Sequence, residues 1–210
     1  MTSFQDYQAF CQACDLSDSF ILENGSGSVM VSTPHSVEQL RNGNIKFAEP
    51  QTGVLAKMLR DELGCPIIYK TRNCGDDANY DEHSPYRDAL RDYIRENDIK
   101  YLLDLHQMAP ERDENIELGT GRGVNVSPDP RITDIVKEHF SAQHICGITV
   151  DALFVASYPH TVSSSIFREC GISCLQIEIN SRLVCDWYPD FCFDAVLAAL
   201  KGAVEELRKR

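Results

Sequence analysis

Short apolar segments with strand character alternate with helix-patterned segments along nearly the whole chain, and this alternation restricts the fold more than any single motif. Phe20-Ile21-Leu22, Ser28 to Ser32, Pro66 to Arg72, Lys100 to His106, Gly147 to Val155 and Ser173 to Asn180 read as strands. Gly53 to Leu63, Ser84 to about Asn97, Ile132 to Phe140 and Ser163 to Cys170 carry apolar residues at helical spacing. Phe191 to Arg210 ends the chain as a long amphipathic helix with Lys and Arg in its last turn. Gly64 and Gly171 stop two of these helices, and Ser84-Pro85 supplies a cap and a first-turn proline for a third. The pattern predicts an α/β fold: a mixed, mostly parallel sheet with helices on both faces. Residues 42–52 and 73–83 read as loops, and 109–130 as a long one of the kind that usually carries function.

At 210 residues this is one domain, or one with an appendage, read here as a single domain over 1–210. The net charge of -12 argues against nucleic acid and against an anionic membrane, both of which need clustered Lys and Arg. No apolar run approaches the roughly 20 residues that span a bilayer. The N-terminal MTSFQDYQAF lacks the basic and apolar regions of a secretory signal. Nine cysteines, an odd count without such a signal, read as reduced thiols in the cytoplasm. Phe4, Tyr7, Phe10, Cys11 and Cys14 have helical spacing, so Cys11-x-x-Cys14 reads as small helix cysteines or as a lone metal half-site or redox pair.

The stretch VMVSTPHSVEQ, Val29 to Gln39, places an HxxE pair where an apolar strand gives way to a turn or a helix start. If a helix follows, His35 and Glu38 share one face, at the end of a buried strand where α/β proteins collect ligand groups. Imidazole and carboxylate suit Zn²⁺, and a catalytic zinc site takes three protein ligands and leaves one position open. In Lys100 to His106, Leu103 and Leu105 point to one face and Asp104 and His106 to the other. His106 is then the candidate third ligand and Asp104 a group that orients a neighbouring ligand; the alternative is a satisfied histidine at a strand end. In Ser173 to Asn180, Gln176, Glu178 and Asn180 form a polar stripe, either an exposed edge or the wall of a cleft. In a cleft, Glu178 is the candidate general base for a zinc-activated water.

Several polar and cationic residues are candidates for contacting substrate. Arg72, at a strand end, is placed to polarise a scissile carbonyl or is a solvated end group. Asn79 and Arg87 suit a substrate carboxylate, although Arg87 also reads as a helix-surface charge. Arg182 follows the polar strand and either holds a substrate anion or carries a surface charge. Gly119-Thr120-Gly121-Arg122-Gly123 lacks the elements of a phosphate loop and reads as a flexible active-site loop, with Arg122 as a candidate substrate contact. His160, after Tyr158-Pro159 and just before a helix, is a candidate acid or substrate contact for the same cleft. No GxSxG elbow is present, which sets aside a serine nucleophile.

The order STPHSVEQ, TRNCGDDANY, LLDLHQ, LQIEIN-SRL resembles the N-formylglutamate amidohydrolase family, related in fold and metal site to the zinc carboxypeptidases of phosphorylase-hydrolase-like architecture. The resemblance runs in patches from about Val29 to Leu183. It implies that His35, Glu38 and His106 bind zinc, that Glu178 is the base, that Arg72 supports the carbonyl oxygen and that Asn79 contacts a substrate carboxylate. It implies hydrolysis of the amide bond of an N-acyl amino acid, with N-formyl-L-glutamate as type substrate. The chain departs from the family pattern at Tyr80, where an arginine is usual. Two other readings remain open: a zinc peptidase acting on γ-glutamyl or cell-wall peptides, and a non-catalytic module on the same fold that binds a small ligand or a partner through the cleft. The ligand implied is a small N-acyl amino acid or a short peptide.

Overall fold

The computed structural model describes residues 19–210. The helix expected over residues 2–14, with Cys11-x-x-Cys14, lies outside the described residues.

Among the described residues, seven strands form one sheet in the order β1-β5-β2-β6-β9-β7-β8. These are β1 (Phe20–Glu23), β2 (Val29–Thr33), β5 (Ile67–Lys70), β6 (Tyr101–Met108), β7 (Ile116–Gly119), β8 (Ile148–Val150) and β9 (Ser173–Asn180). The central β5-β2-β6-β9 block is parallel; β1 runs antiparallel to β5, and β7 antiparallel to β9. Helices α1 (Pro50–Leu63), α3 (Arg131–Ala142) and α6 (Phe193–Leu207) cover one face, and α2 (Pro85–Glu96) and α4 (Val162–Cys170) the other. The expected mixed, mostly parallel sheet between helical layers is therefore what forms. No described helix is long and apolar enough to cross a membrane, and the described cysteines are free thiols.

Periodicity explains the layering. On β6, Leu103 and Leu105 join the larger core with Leu175, Ile177 and Ile179 of β9, while Leu102 and Cys174 pack on the other side. In α6, Phe193, Val196, Leu197, Leu200, Val204 and Leu207 bury one stripe at helical spacing. Each such side chain contributes about 1.5–3 kcal/mol on full burial. The opposite core layer is smaller, and its space near the strand ends is taken by polar side chains.

Several local readings differ from the structure. Residues 42–52 are not a loop: Gln39–Arg41 (β3) and Asn44–Lys46 (β4) form a hairpin, and α1 begins at Pro50. The hairpin turns through Asn42 and Gly43, both at positive φ (50° and 77°), the two-residue turn that Asn-Gly favours. The strand expected to reach Val155 stops at Val150, and the long 109–130 segment contains the buried strand β7. Arg87 is neither a substrate contact nor a surface charge. Its guanidinium donates to the carbonyls of Ala78, His160, Asp81 and Glu82 at 2.5–2.9 Å, tying the 78–82 turn to the start of α4.

Two chain reversals leave β2 and β6 as neighbours at the point where the connections diverge: β2 leads through α1 to β5 on one side, and α2 returns the chain to β6 on the other. Ligands collect in the crevice beyond the carboxyl ends of strands at such a point.

Candidate metal centre

His35 and His106 come from the two strands that diverge. Pro34 ends β2, and the turn after it is held by Ser36, whose hydroxyl donates to the Thr33 and Lys70 carbonyls at 3.1 and 2.6 Å. No helix follows. His35 projects from this turn into the crevice and is buried. His106 lies on the polar face of β6, with Asp104 two residues before it on the same side.

The third member is Glu49, not Glu38. Without a helix after Pro34, His35 and Glu38 no longer share a face, and Glu38 is exposed just before β3. Glu49 occupies the cap position of α1, its backbone N–H donating to the His35 carbonyl at 2.7 Å. Its carboxylate does not cap the helix; it turns inward and also accepts the Gln107 N–H at 3.0 Å. The three side chains form a triangle in which each imidazole faces a different Glu49 oxygen. His35 Nδ1 and Glu49 Oε1 are 3.2 Å apart, the two Nδ1 atoms 3.2 Å, and His106 Nδ1 and Glu49 Oε2 3.3 Å. Among the described residues this is the group of histidine and acidic side chains that could hold a metal ion.

The donor set fits a cation on two grounds. Zinc bonds of about 2.0–2.1 Å at tetrahedral angles separate ligand atoms by roughly 3.3 Å, close to the separation of the two Nδ1 atoms and of each Nδ1 from one Glu49 oxygen. The second ground is hydrogen-bond accounting. His35 Nε2 lies 2.9 Å from Asp77 Oδ1, and His106 Nε2 lies 3.4 Å from Asp104 Oδ2. With each Nε2–H donated outward, both Nδ1 lone pairs aim at the Glu49 carboxylate, which already accepts the Lys46 ammonium and the Gln107 N–H, and the two Nδ1 lone pairs are left without a donor. Positive charge must fill the space between them. Without a metal it is a proton: burial works to lower the His106 imidazole, but Asp104 and Glu49 hold it well above its ordinary range. Burial likewise works to raise Glu49, yet His35 and His106 hold that carboxyl well below the usual range. Asp77 is depressed too, His35 and Arg41 outweighing its burial. Metal entry therefore displaces a proton.

Glu178 stands beside this triangle. Strand β9 is central rather than an edge, so its polar stripe is a buried wall, and Glu178 pairs in register with His106. Gln176 Nε2 donates to Glu178 Oε1 at 3.0 Å. Burial, with the Glu49 charge, raises the Glu178 carboxyl to about 7 against the pull of His106, Lys46 and His35. A carboxyl that keeps its proton longer in the folded than the unfolded chain stabilises the fold below the unfolded value near 4.5. That stability is lost as pH rises through about 7. For metal-free protein, Glu178→Gln is expected to raise stability at pH 8 by on the order of 3 kcal/mol, with the gap closing below pH 4.5. Thermal unfolding of both proteins across pH 4–8 measures it.

The site opens into a cleft of about 510 Å³. Glu178, Gln176 and Asn79 line its floor, Arg41, Lys46 and Arg112 bring cations to it, and 153–158 form an apolar wall. Glu117, paired with Glu178 across β7 and β9, accepts the Leu153 and Phe154 N–H groups at 2.5 Å and fixes that wall. Gly119 is required there, because a Cβ would lie 2.3 Å from the Phe154 carbonyl oxygen.

Of the residues singled out in the sequence, the structure brings together His35, His106, Glu178, Asn79 and the supporting Asp104. Asn79 Oδ1 accepts the Val162 N–H at 2.6 Å, and its Nδ2 lies 3.4 Å from His106 Nε2. Arg72 is exposed beyond β5 and does not line the cleft. Arg182 sits on the short helix α5 (Ser181–Val184), 3.9 Å from Asp190 and outside the cleft. Arg122 is exposed at positive φ in the 120–123 turn, also outside it. His160 packs edge-on against Tyr158, a cleft residue, without lining the cleft itself. Missed in the sequence were Glu49, Asp77, Arg41 and Lys46. The signal for Glu49 was Glu-Pro, an acid standing in the cap position before a first-turn proline.

No protein-family model matches the chain, and no curated protein matches its sequence. Solved structures do match its fold. A bacteriophage poly-gamma-glutamate hydrolase superposes with a TM-score of 0.58 over 95% of each chain at 13% identity. An N-formylglutamate amidohydrolase from Ralstonia eutropha gives 0.58 over 91% of this chain and 97% of that one, also at 13%. A metallo-carboxypeptidase from Burkholderia cenocepacia gives 0.53 over 99% of this chain and 69% of that one, at 12%. The chain thus has the fold that its resemblance to N-formylglutamate amidohydrolases and zinc carboxypeptidases implies.

Proposed function

We propose that this protein is a zinc-dependent amidohydrolase that cleaves the amide bond of an N-acyl amino acid of the N-formylglutamate kind. The observation that carries this reading is the buried His35–Glu49–His106 triangle, in which each imidazole has a carboxylate at its outer nitrogen, with Glu178 beside it in an open cleft. The likeness in fold to an amidohydrolase, a poly-gamma-glutamate hydrolase and a metallo-carboxypeptidase supports it.

His35, Glu49 and His106 would hold the metal. When bound, a zinc ion polarises a carbonyl and lowers the pKa of water towards 7. The chain does the rest. Asp77 and Asp104 accept the outer ring protons and keep both Nδ1 lone pairs facing inward. Glu178, shielded from bulk water, takes a proton from the attacking water and returns it to the departing amine nitrogen, so that amide and water become carboxylic acid and amine. Asn79 is anchored to the first turn of α4 through Val162 and lines the cleft beside His106. Arg41, Lys46 and Arg112 give the mouth of the cleft a positive side in a chain of net charge -12, which suits an anionic small molecule.

A cleft of about 510 Å³ also has room for a longer ligand, which favours a second reading, a peptidase on γ-glutamyl or cell-wall peptides. Zinc-loaded protein assayed on N-formyl-L-glutamate, N-acetyl-L-glutamate and a short γ-glutamyl peptide separates the two. Hydrolysis of an N-acyl amino acid that a chelator abolishes and added zinc restores is the expected result. Cleavage of the peptide alone selects the second reading, and cleavage of none refutes both.

A further inference from the structure

The hairpin β3–β4 delivers a residue whose role lies beyond the metal chemistry. Arg41 ends β3, lines the cleft and keeps about a third of its side chain exposed. Its Nε donates to Asp77 Oδ2 at 2.7 Å, and its guanidinium lies over the Tyr80 ring, 4.9 Å from the centroid. Tyr80 is held from both sides. Its hydroxyl accepts from Asn42 Nδ2 at 2.7 Å, and its ring stacks on Tyr158 at 5.3 Å with a 20° interplanar angle. One edge and one face of the guanidinium are therefore occupied. The two Nη groups have no hydrogen-bond partner among the described residues. A fork held in place by its third nitrogen and by a ring beneath it is preorganised for a planar anion and gives up little entropy on binding one.

The other two cleft cations are less suited. The Lys46 ammonium is engaged with Glu49 Oε1, one of the triangle's own atoms. Arg112 is exposed on the 109–115 loop, with its guanidinium 5.9 Å from the Phe154 centroid. Two hydrogen bonds separate Arg41 from the triangle, His35 to Asp77 and Asp77 to Arg41. The guanidinium therefore serves a group next to the scissile amide rather than the reacting carbonyl.

We propose that Arg41 is the specificity-determining residue of this cleft, its free Nη edge reading one carboxylate of an N-acyl amino acid, with Tyr80 as its positioning residue. The proposal rests on the amidohydrolase reading above and names the residue that selects the substrate. It also ties selection to the metal centre, because Asp77 is shared between Arg41 and His35.

The test is a binding measurement, so that it stands apart from turnover. Zinc-loaded protein carrying Glu178→Gln, which does not consume its ligand, is titrated calorimetrically with N-acetyl-L-glutamate, N-acetyl-L-glutamine and N-acetyl-L-isoglutamine. Each of the last two has one carboxylate neutralised. A bidentate charge-assisted pair is worth on the order of tenfold to a hundredfold in affinity. One of the two amides is expected to bind weaker than N-acetyl-L-glutamate by that factor, and Arg41→Met is expected to bring that ratio to about one. Arg41→Lys keeps a charge on Asp77 but loses the fork, and is expected to lose most of the ratio while retaining zinc. With Glu178 restored, Tyr80→Ala is expected to raise KM several-fold with kcat unchanged. An undiminished ratio in both Arg41 variants, a ratio abolished instead by Lys46→Met or Arg112→Met, or no preference in the parent overturns the proposal. Failure of the zinc-loaded parent to hydrolyse any acyl amino acid, with the Arg41-dependent ratio intact, refutes the amidohydrolase reading and leaves the carboxylate reader standing.

Discussion

Glu49→Gln is expected to lower zinc affinity by more than about 100-fold, whereas Glu38→Gln leaves it unchanged. Loss of an outer partner of a metal-bound histidine costs roughly 10–100-fold in affinity, and loss of an anionic ligand costs more. Glutamine keeps the size of the side chain and an oxygen for the Gln107 N–H, so the fold around the cap of α1 is preserved. What disappears is the negative charge that closes the triangle. Both imidazoles remain, each still bonded outward to Asp77 or Asp104, and two neutral nitrogens are a weak site for a dication. Glu38 is the informative control, since it stands at the spacing from His35 that a helical HxxE motif would use but is exposed. Competition against a chromophoric chelator gives both affinities. Equal loss in the two variants would contradict the assignment.

Glu178→Gln is expected to retain zinc and lose 10²–10⁴-fold in kcat, the range for removal of a general base. The substitution is nearly isosteric within a wall formed by Gln176 and the backbone of β9, and it touches none of the triangle's ligand atoms. An amide cannot take up a proton, so the attacking water and the departing amine both lose their partner. The parent's pH profile should carry the same signature. As the proposed base Glu178 must be ionised to act, so kcat/KM is expected to rise with pH through its pKa. Burial sets that pKa at about 7 in metal-free protein, and a cation in the triangle acts to lower it. The rising limb should vanish from the residual activity of the variant. Turnover within about threefold of the parent would remove Glu178 from the mechanism.

The sequence was most informative where periodicity does the placing. Alternation put Asp104 and His106 on one face of β6 and Glu178 in a polar stripe of β9, and the structure joins the two by pairing His106 with Glu178 in register. Local spacing was a poorer guide. His35 and Glu38 looked paired because a helix after Pro34 would have aligned them. The chain instead turns into a hairpin whose Asn42-Gly43 corner was itself a legible signal. Glu49 was hidden by its distance along the chain and by its position before Pro50, where a carboxylate ordinarily caps a helix. The cations went astray for a related reason. Arg72 and Arg182 stand at strand ends, as function would suggest, but which ends open onto the crevice depends on sheet order, which no local pattern encodes. Arg41 reaches the cleft only because the hairpin folds over it.

The most direct measurement is zinc anomalous diffraction from crystals grown with the metal. A single strong peak per chain is predicted within bonding distance, about 2.0–2.2 Å, of His35 Nδ1, His106 Nδ1 and a Glu49 oxygen, with Glu178 facing the remaining side. A peak bound through Glu38, or no peak between residues 35 and 106 at saturating zinc, would contradict the account.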